Sequence, residues 1–140
     1  MFRNLVYGMM LLVLTALSTA TNGGENISLD GFPPVVVSTF PKSGDVNVDP
    51  SIGEIRVTFS KDMTTENMWS WVIHAKKLFP VIAGEVKYLA DNRTNVAPVK
   101  LEPNSTYAIW FNSPDYRHNA FRDRFNNPAV PYLLVFRTGD

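Results

Sequence analysis

The sequence contains no cysteine. That excludes a disulfide scaffold, a thiolate metal centre and a lipid-modified cysteine. Histidine is almost as scarce, with only His74 and His118 in the chain, too few for a histidine-rich metal site. An excess of charge is missing too. Lys plus Arg is 13 and Asp plus Glu is 13, so nothing electrostatic draws the chain to nucleic acid or to a strongly anionic membrane. There is no Gly-x-Ser-x-Gly elbow, no phosphate-cradling glycine loop, no His-Glu-x-x-His and no dinucleotide fingerprint. The sequence therefore assigns no catalytic residue, no cofactor and no metal. Asp115, Asp123, Asn126 and Asn127 have the oxygen chemistry of a calcium set. They lack an EF-hand-like spacing, and Asp and Asn are ordinary turn residues.

What is present begins with an apolar N-terminus. Residues 1–20 read as a secretory signal peptide. Arg3 supplies the charged start, an apolar run extends from about Leu5 to Leu17, and Ser18-Thr19-Ala20 supplies small residues for cleavage after Ala20. The run is shorter than the ~20 residues of a spanning helix, so an uncleaved anchor is the weaker reading. Cleavage removes Arg3 and leaves 12 basic against 13 acidic residues, a net charge of about −1. Residues 21–33 are polar and glycine-rich and read as a flexible leader. Residues 34–139 are then one domain, long enough to bury a core without disulfides.

Within that domain the apolar residues alternate. Ile55, Val57 and Phe59 face one way and Glu54, Arg56, Thr58 and Ser60 the other, the pattern of an antiparallel strand with one wet face. Tyr107, Ile109 and Phe111 share a face, as do Tyr132, Leu134 and Phe136. These last two runs are the richest in β-branched and aromatic residues, and we expect both to be central strands. Shorter candidates are Val35–Thr39, Trp69–Ile73, Gly84–Leu89 and Val96–Leu101. Pro34 and Pro98 mark the first and last of these as edges, because proline cannot donate to a ladder. Val46 and Val48 are available to plug the core, and Asp62 or Thr64 to cap a short helical turn. About seven short strands separated by Gly, Pro, Asn and Asp clusters predict an antiparallel β-sandwich.

Several stretches also resemble a family. Pro33-Pro34-Val35-Val36-Val37-Ser38-Thr39-Phe40-Pro41-Lys42-Ser43-Gly44 is similar to the opening of bacterial Ig-like domains of the SbsA type, first named for a surface-layer protein. So are Val48-Asp49-Pro50, Glu54 to Met63, Leu101 to Tyr107, and the close from Asn127-Pro128 through Thr138. The resemblance implies an immunoglobulin-like sandwich with a spacer, surface or binding role and no catalytic residues. Where the family often has Asp followed by Gly-Asn, this chain has Asp123 and then Arg124-Phe125-Asn126-Asn127. Asparagine tolerates the left-handed backbone that glycine adopts there.

Two function classes follow. The first is a secreted, non-enzymatic module with a structural or protein-interaction role at the bacterial cell envelope, whether periplasmic, on the surface or in the medium. The alternative is a glycan-binding module whose exposed aromatics Trp69, Trp71, Trp110 and Tyr116 stack on sugar rings. A sandwich core also needs large side chains, which places at least two of the tryptophans inside. The loop from Asn112 to Asn127 is long for a hairpin connection, and Arg117, Arg122 and Arg124 on it are candidate contacts for a partner's carboxylates. Tyr107 reads as a tyrosine corner, with Leu101 and Pro103 upstream of it, its hydroxyl pinning backbone. The expected partner is an envelope protein or a polysaccharide, with no nucleic acid and no membrane span after signal cleavage.

Overall fold

Alternation becomes two packed sheets in a computed structural model that describes residue 24 and residues 26–140. The signal-peptide reading lies outside the described residues. The strands are β1 (Val36–Phe40), β2 (Glu54–Phe59), β3 (Trp71–Ile73), β4 (Val81–Ile82), β5 (Lys87–Tyr88), β6 (Thr94–Lys100), β7 (Thr106–Phe111) and β8 (Tyr132–Arg137). One sheet runs β1-β2-β6-β4, with β5 also on β6, and the other runs β3-β7-β8. Every strand pair is antiparallel. The fold is the expected all-β sandwich, with eight strands rather than seven because the stretch around Gly84 yields two short ones.

The core sits where the sequence periods place it. Ile55, Val57, Phe59, Ile109, Phe111, Leu134 and Phe136 are all at most 1% exposed. Each such side chain contributes roughly 1.5–3 kcal/mol by leaving water. Rings of neighbouring strands pave the inner face of the three-stranded sheet: Tyr107 stacks on Phe136 at 5.3 Å and Trp71 meets Phe111 edge-on at 4.8 Å.

Three local expectations are corrected. β6 is not an edge, since β2 pairs on one side of it and β4 and β5 on the other. Val99 donates its amide to Gly53 on the β2 side, so Pro98, one residue earlier, turns its missing donor toward the opposite side. There the outer ladder is split. β5 pairs with Asn95 and Val96, β4 with Val99 and Lys100, and the chain between them passes over the proline. Gly84 lies so close that a Cβ would stand 3.2 Å from the ring carbon Cγ of Pro98. β8 is not central. Its outer side is covered by an irregular segment, where Gly44 donates to Val135, Arg137 donates to Asp45 and Val48 donates to Arg137. That segment buries Val48 and leaves Val46 74% exposed. No helical turn forms after β2. Met63 is buried and bridges to Asp123 in strand fashion.

Candidate functional site

The connections at the two ends of β7 differ in how they are held. After Phe111 the chain turns through Asn112, whose φ is +59°. Asn112 is fully buried, and its amide group donates to the carbonyls of Phe121 and Ala129 at 3.0 Å while its Oδ1 accepts the Phe121 amide at 3.0 Å. That one side chain sews both limbs of the long loop together and delivers Phe121 into the core, 4.9 Å from the Phe59 ring. Further along, the Asp123 carboxylate is wholly buried. It accepts from the Lys61 ammonium at 2.6 Å, from the amides of Phe125 and Asn127 at 3.0 and 2.9 Å, and from the Asn127 side chain. Burial alone raises its pKa. The Lys61 ammonium and the amide donors outweigh that effect and hold the carboxyl below its ordinary value. Lys61 also donates to the carbonyls of Leu29 and Phe32, and Asn127 to that of Asp30, so residues 29–32 are tied to this loop.

The three arginines of the loop are engaged, two within it and one with Asp62 after β2. The half-buried Arg122 donates to the Asn119 carbonyl and side chain and to the Asn126 carbonyl. Arg124 pairs with Asp62 at 3.6 Å, and Arg117 pairs with Asp115 at 3.1 Å. The Ser113 hydroxyl on Asp115 holds that carboxyl below its usual range, helped by the Arg117 amide. The four oxygen ligands of the calcium alternative do not meet. Asp115 is engaged with Ser113 and Arg117, whereas Asp123 is closed by Lys61. Tyr116 is exposed, at positive φ, on the tip of the turn.

The tryptophans gather beside the start of this loop, around the β3 edge of the three-stranded sheet. Trp69 and Trp71 are half-buried and pack against the core, and the Trp71 indole donates to the buried Asn95 side chain at 2.8 Å. Trp110 lies on the other face, half-buried, and its indole donates to His74 Nδ1 at 3.2 Å. All three tryptophans line one open cleft of about 850 Å³, together with Ile73, His74, Phe79, Ile82, Val86 and, from the turn after β7, Ser113, Pro114, Asp115, Arg117 and His118 but not Tyr116. β3 forms one wall of this cleft and the connection from Phe79 to Val86 the other. Both histidines of the chain reach it, a convergence that 43 intervening residues hide in the sequence.

A family model described as a bacterial Ig-like domain matches residues 30–138. The chain belongs to that family. No match to a curated protein was found. Among solved structures, this bacterial Ig-like domain is similar to the crystal structure of the S-layer protein SbsC at 16% identity and a TM-score of 0.47, covering 76% of this chain and 14% of that one. A second SbsC structure, of domains 1–6, aligns at 15% identity and a TM-score of 0.48 over 78% of this chain and 14% of that one. The chain thus spans a small part of those proteins. In this Ig-like domain the Tyr107 hydroxyl accepts the Glu102 amide at 2.8 Å, and it ties the turn before β7 to the core. Among the described residues no helix is long and apolar enough to cross a membrane.

Proposed function

We propose that this bacterial Ig-like domain is a secreted, non-enzymatic module with a structural or protein-interaction role at the cell envelope. The observation that carries the reading is that each of its two sheets ends in a strand with unpaired backbone. Among the described residues β1 pairs only with β2, and β3 pairs only with β7. On β1 the amide and carbonyl of Thr39 point away from β2, because it lies opposite Val57, and Phe59 and Gly53 mark these alternate residues of β2 as bonded to β6. Such edges are templates for another chain, and proteins that do not use them commonly charge or cover them. β1 carries no charged residue, and Val37 is 59% exposed.

The test is retention of the purified chain from Thr21 to Asp140 on washed envelopes, intact, protease-treated or stripped of polysaccharide. Retention lost with protease supports a protein partner. Retention lost only with the polysaccharide moves the domain to the glycan reading, and no retention removes the envelope role. Intact-mass analysis of the exported chain checks the signal. The expected product begins at Thr21, and a product still carrying residues 1–20 overturns cleavage.

A further inference from the structure

The cleft beside β3 has the features of a seat for an added strand. Asn112 donates its amide to the Ser70 carbonyl, and β3 runs in register with β7 from Trp71 opposite Phe111 to Ile73 opposite Ile109. In an antiparallel ladder the residues alternate in direction, so Ser70 and Val72 turn their amides and carbonyls toward β7. Trp71 and Ile73 turn theirs outward. Neither backbone has a hydrogen-bond partner among the described residues. They face the cleft, whose far wall is apolar, with Phe79, Ile82 and Val86. Ile73 is 55% exposed and Ile82 37%. Two donor–acceptor pairs two residues apart match the repeat of an extended chain, whose backbone groups alternate in the same way.

We infer that this cleft binds an extended, uncharged peptide segment of a partner protein, which adds to β3 as a fourth strand and lays alternate apolar side chains against Ile73, Phe79 and Ile82. The inference rests on the protein-interaction reading above and says where and how the partner is held. The absence of charge is argued from the lining. Its one arginine, Arg117, and its one carboxylate, Asp115, are paired with each other at 3.1 Å. An ionised side chain entering beside Phe79 and Ile82 would lose water without gaining a partner. β1 also has a free edge, but β1 does not line this cleft. Backbone pairing gives affinity and a side-chain pocket gives selectivity, and β3 offers both over the longer run, since of the two residues of β4 only Ile82 lines the cleft. The volume of about 850 Å³ is that of a ligand site rather than a surface dimple.

The test uses the chain from Thr21 to Asp140 and three probes: a capped hexapeptide of alternating threonine and valine, its fully N-methylated analogue, and a hexasaccharide of β-1,4-linked N-acetylglucosamine. Binding is followed by amide NMR shifts and by hydrogen exchange. The expected result is saturable binding of the plain peptide, with shifts and slowed exchange centred on the amides of Trp71 and Ile73. N-methylation, which removes the peptide's donors, should weaken it by about tenfold or more. Ile73→Asp and Ile82→Asp, both at exposed positions and checked for folding by circular dichroism, should each weaken it too. Equal binding of the N-methylated peptide overturns strand addition. Shifts confined to Val37 and Thr39 overturn the location. Shifts of the Trp110 indole with the saccharide, and none with the peptide, overturn the ligand class in favour of a glycan. Absence of peptide binding overturns the inference outright. If protease-sensitive envelope retention persists in that case, the module reading stands and only this site falls. Peptide binding without envelope retention has the converse meaning.

Discussion

The two long connections of the domain, 112–131 between β7 and β8 and 74–93 between β3 and β6, are of equal length and held by opposite means. The first is built inward. Asn112, Phe121, Asp123 and Ala129 are buried along it, and its polar groups are spent on the loop itself. The second is built outward. Its two strands are two residues each, Val81, Ile82 and Leu89 are exposed, and Phe79, Val86 and Tyr88 lean on the core only half-buried. A loop that contributes a phenylalanine to the core is part of the fold, whereas one that leaves its aliphatic residues in water is available for contact. The charged residues that crowd the 112–127 loop in the sequence are engaged in the fold, Arg117 with Asp115, Arg122 with Asn119 and Asn126, and Arg124 with Asp62.

The comparison can be broken by mutation, starting where the largest loss is expected. Asp123→Ala leaves the Lys61 ammonium and two amides without their acceptor in a buried site. It should lower unfolding stability by about 3–5 kcal/mol, measured by chemical denaturation. A loss below ~1 kcal/mol would show that the inward loop is not anchored there. Asn112→Ala removes three buried hydrogen bonds and puts at φ +59° a residue that tolerates the left-handed region less well than asparagine. We expect a loss of about 3 kcal/mol. Asn112→Gly, which relieves the backbone alone, should recover less than half of it. Tyr107→Phe deletes the acceptor of the Glu102 amide and should cost about 1 kcal/mol. Unchanged thermal stability would remove its pinning role. Val81→Ser on the outward connection should stay within about 0.5 kcal/mol of the parent. A larger loss there would erase the contrast.

Acid sharpens the same contrast. The folded-state pKa of Asp123 lies below its ordinary value of 3.8. Its stabilising contribution is therefore full above that value and is lost as pH falls below it and through the folded pKa. Hydrogen exchange during acid titration should show protection fading first around Phe125 and Asn127, whose amides it accepts. In Asp123→Asn that pH dependence should be flattened.

Much of the sandwich is visible in the chain as written. Ile55-x-Val57-x-Phe59 and Tyr107-x-Ile109-x-Phe111 each have one buried face because a period of two leaves no other way to bury three apolar residues on a strand. The bacterial Ig-like resemblance likewise rests on motifs spread from Pro33 to Thr138, and the family match covers nearly the same span. Partner strands are a different matter. Pro98 suggests an edge by local chemistry, but the broken ladder that accommodates it exists only because Gly84 and its neighbours bulge past the ring. Val46 and Val48 have equal hydrophobicity, and the one buried is the one that faces the sandwich as the segment crosses β8.

The sequence by itself determined the class of this protein. Alternating apolar residues, absent cysteines and turn residues at short intervals admit a disulfide-free sandwich and little else, since hydrophobic burial depends on local period. Tertiary structure decided which surfaces remain. The loop around Asp123 closed because a lysine 62 residues away in sequence supplied its counter-charge. The cleft at β3 exists because β3 of one sheet and Ile82 of β4 in the other come to line one space. Hydrogen bonds and ion pairs are satisfied between residues that meet in space. No reading of spacing along the chain shows which donors will find their acceptors and which will be left to a partner.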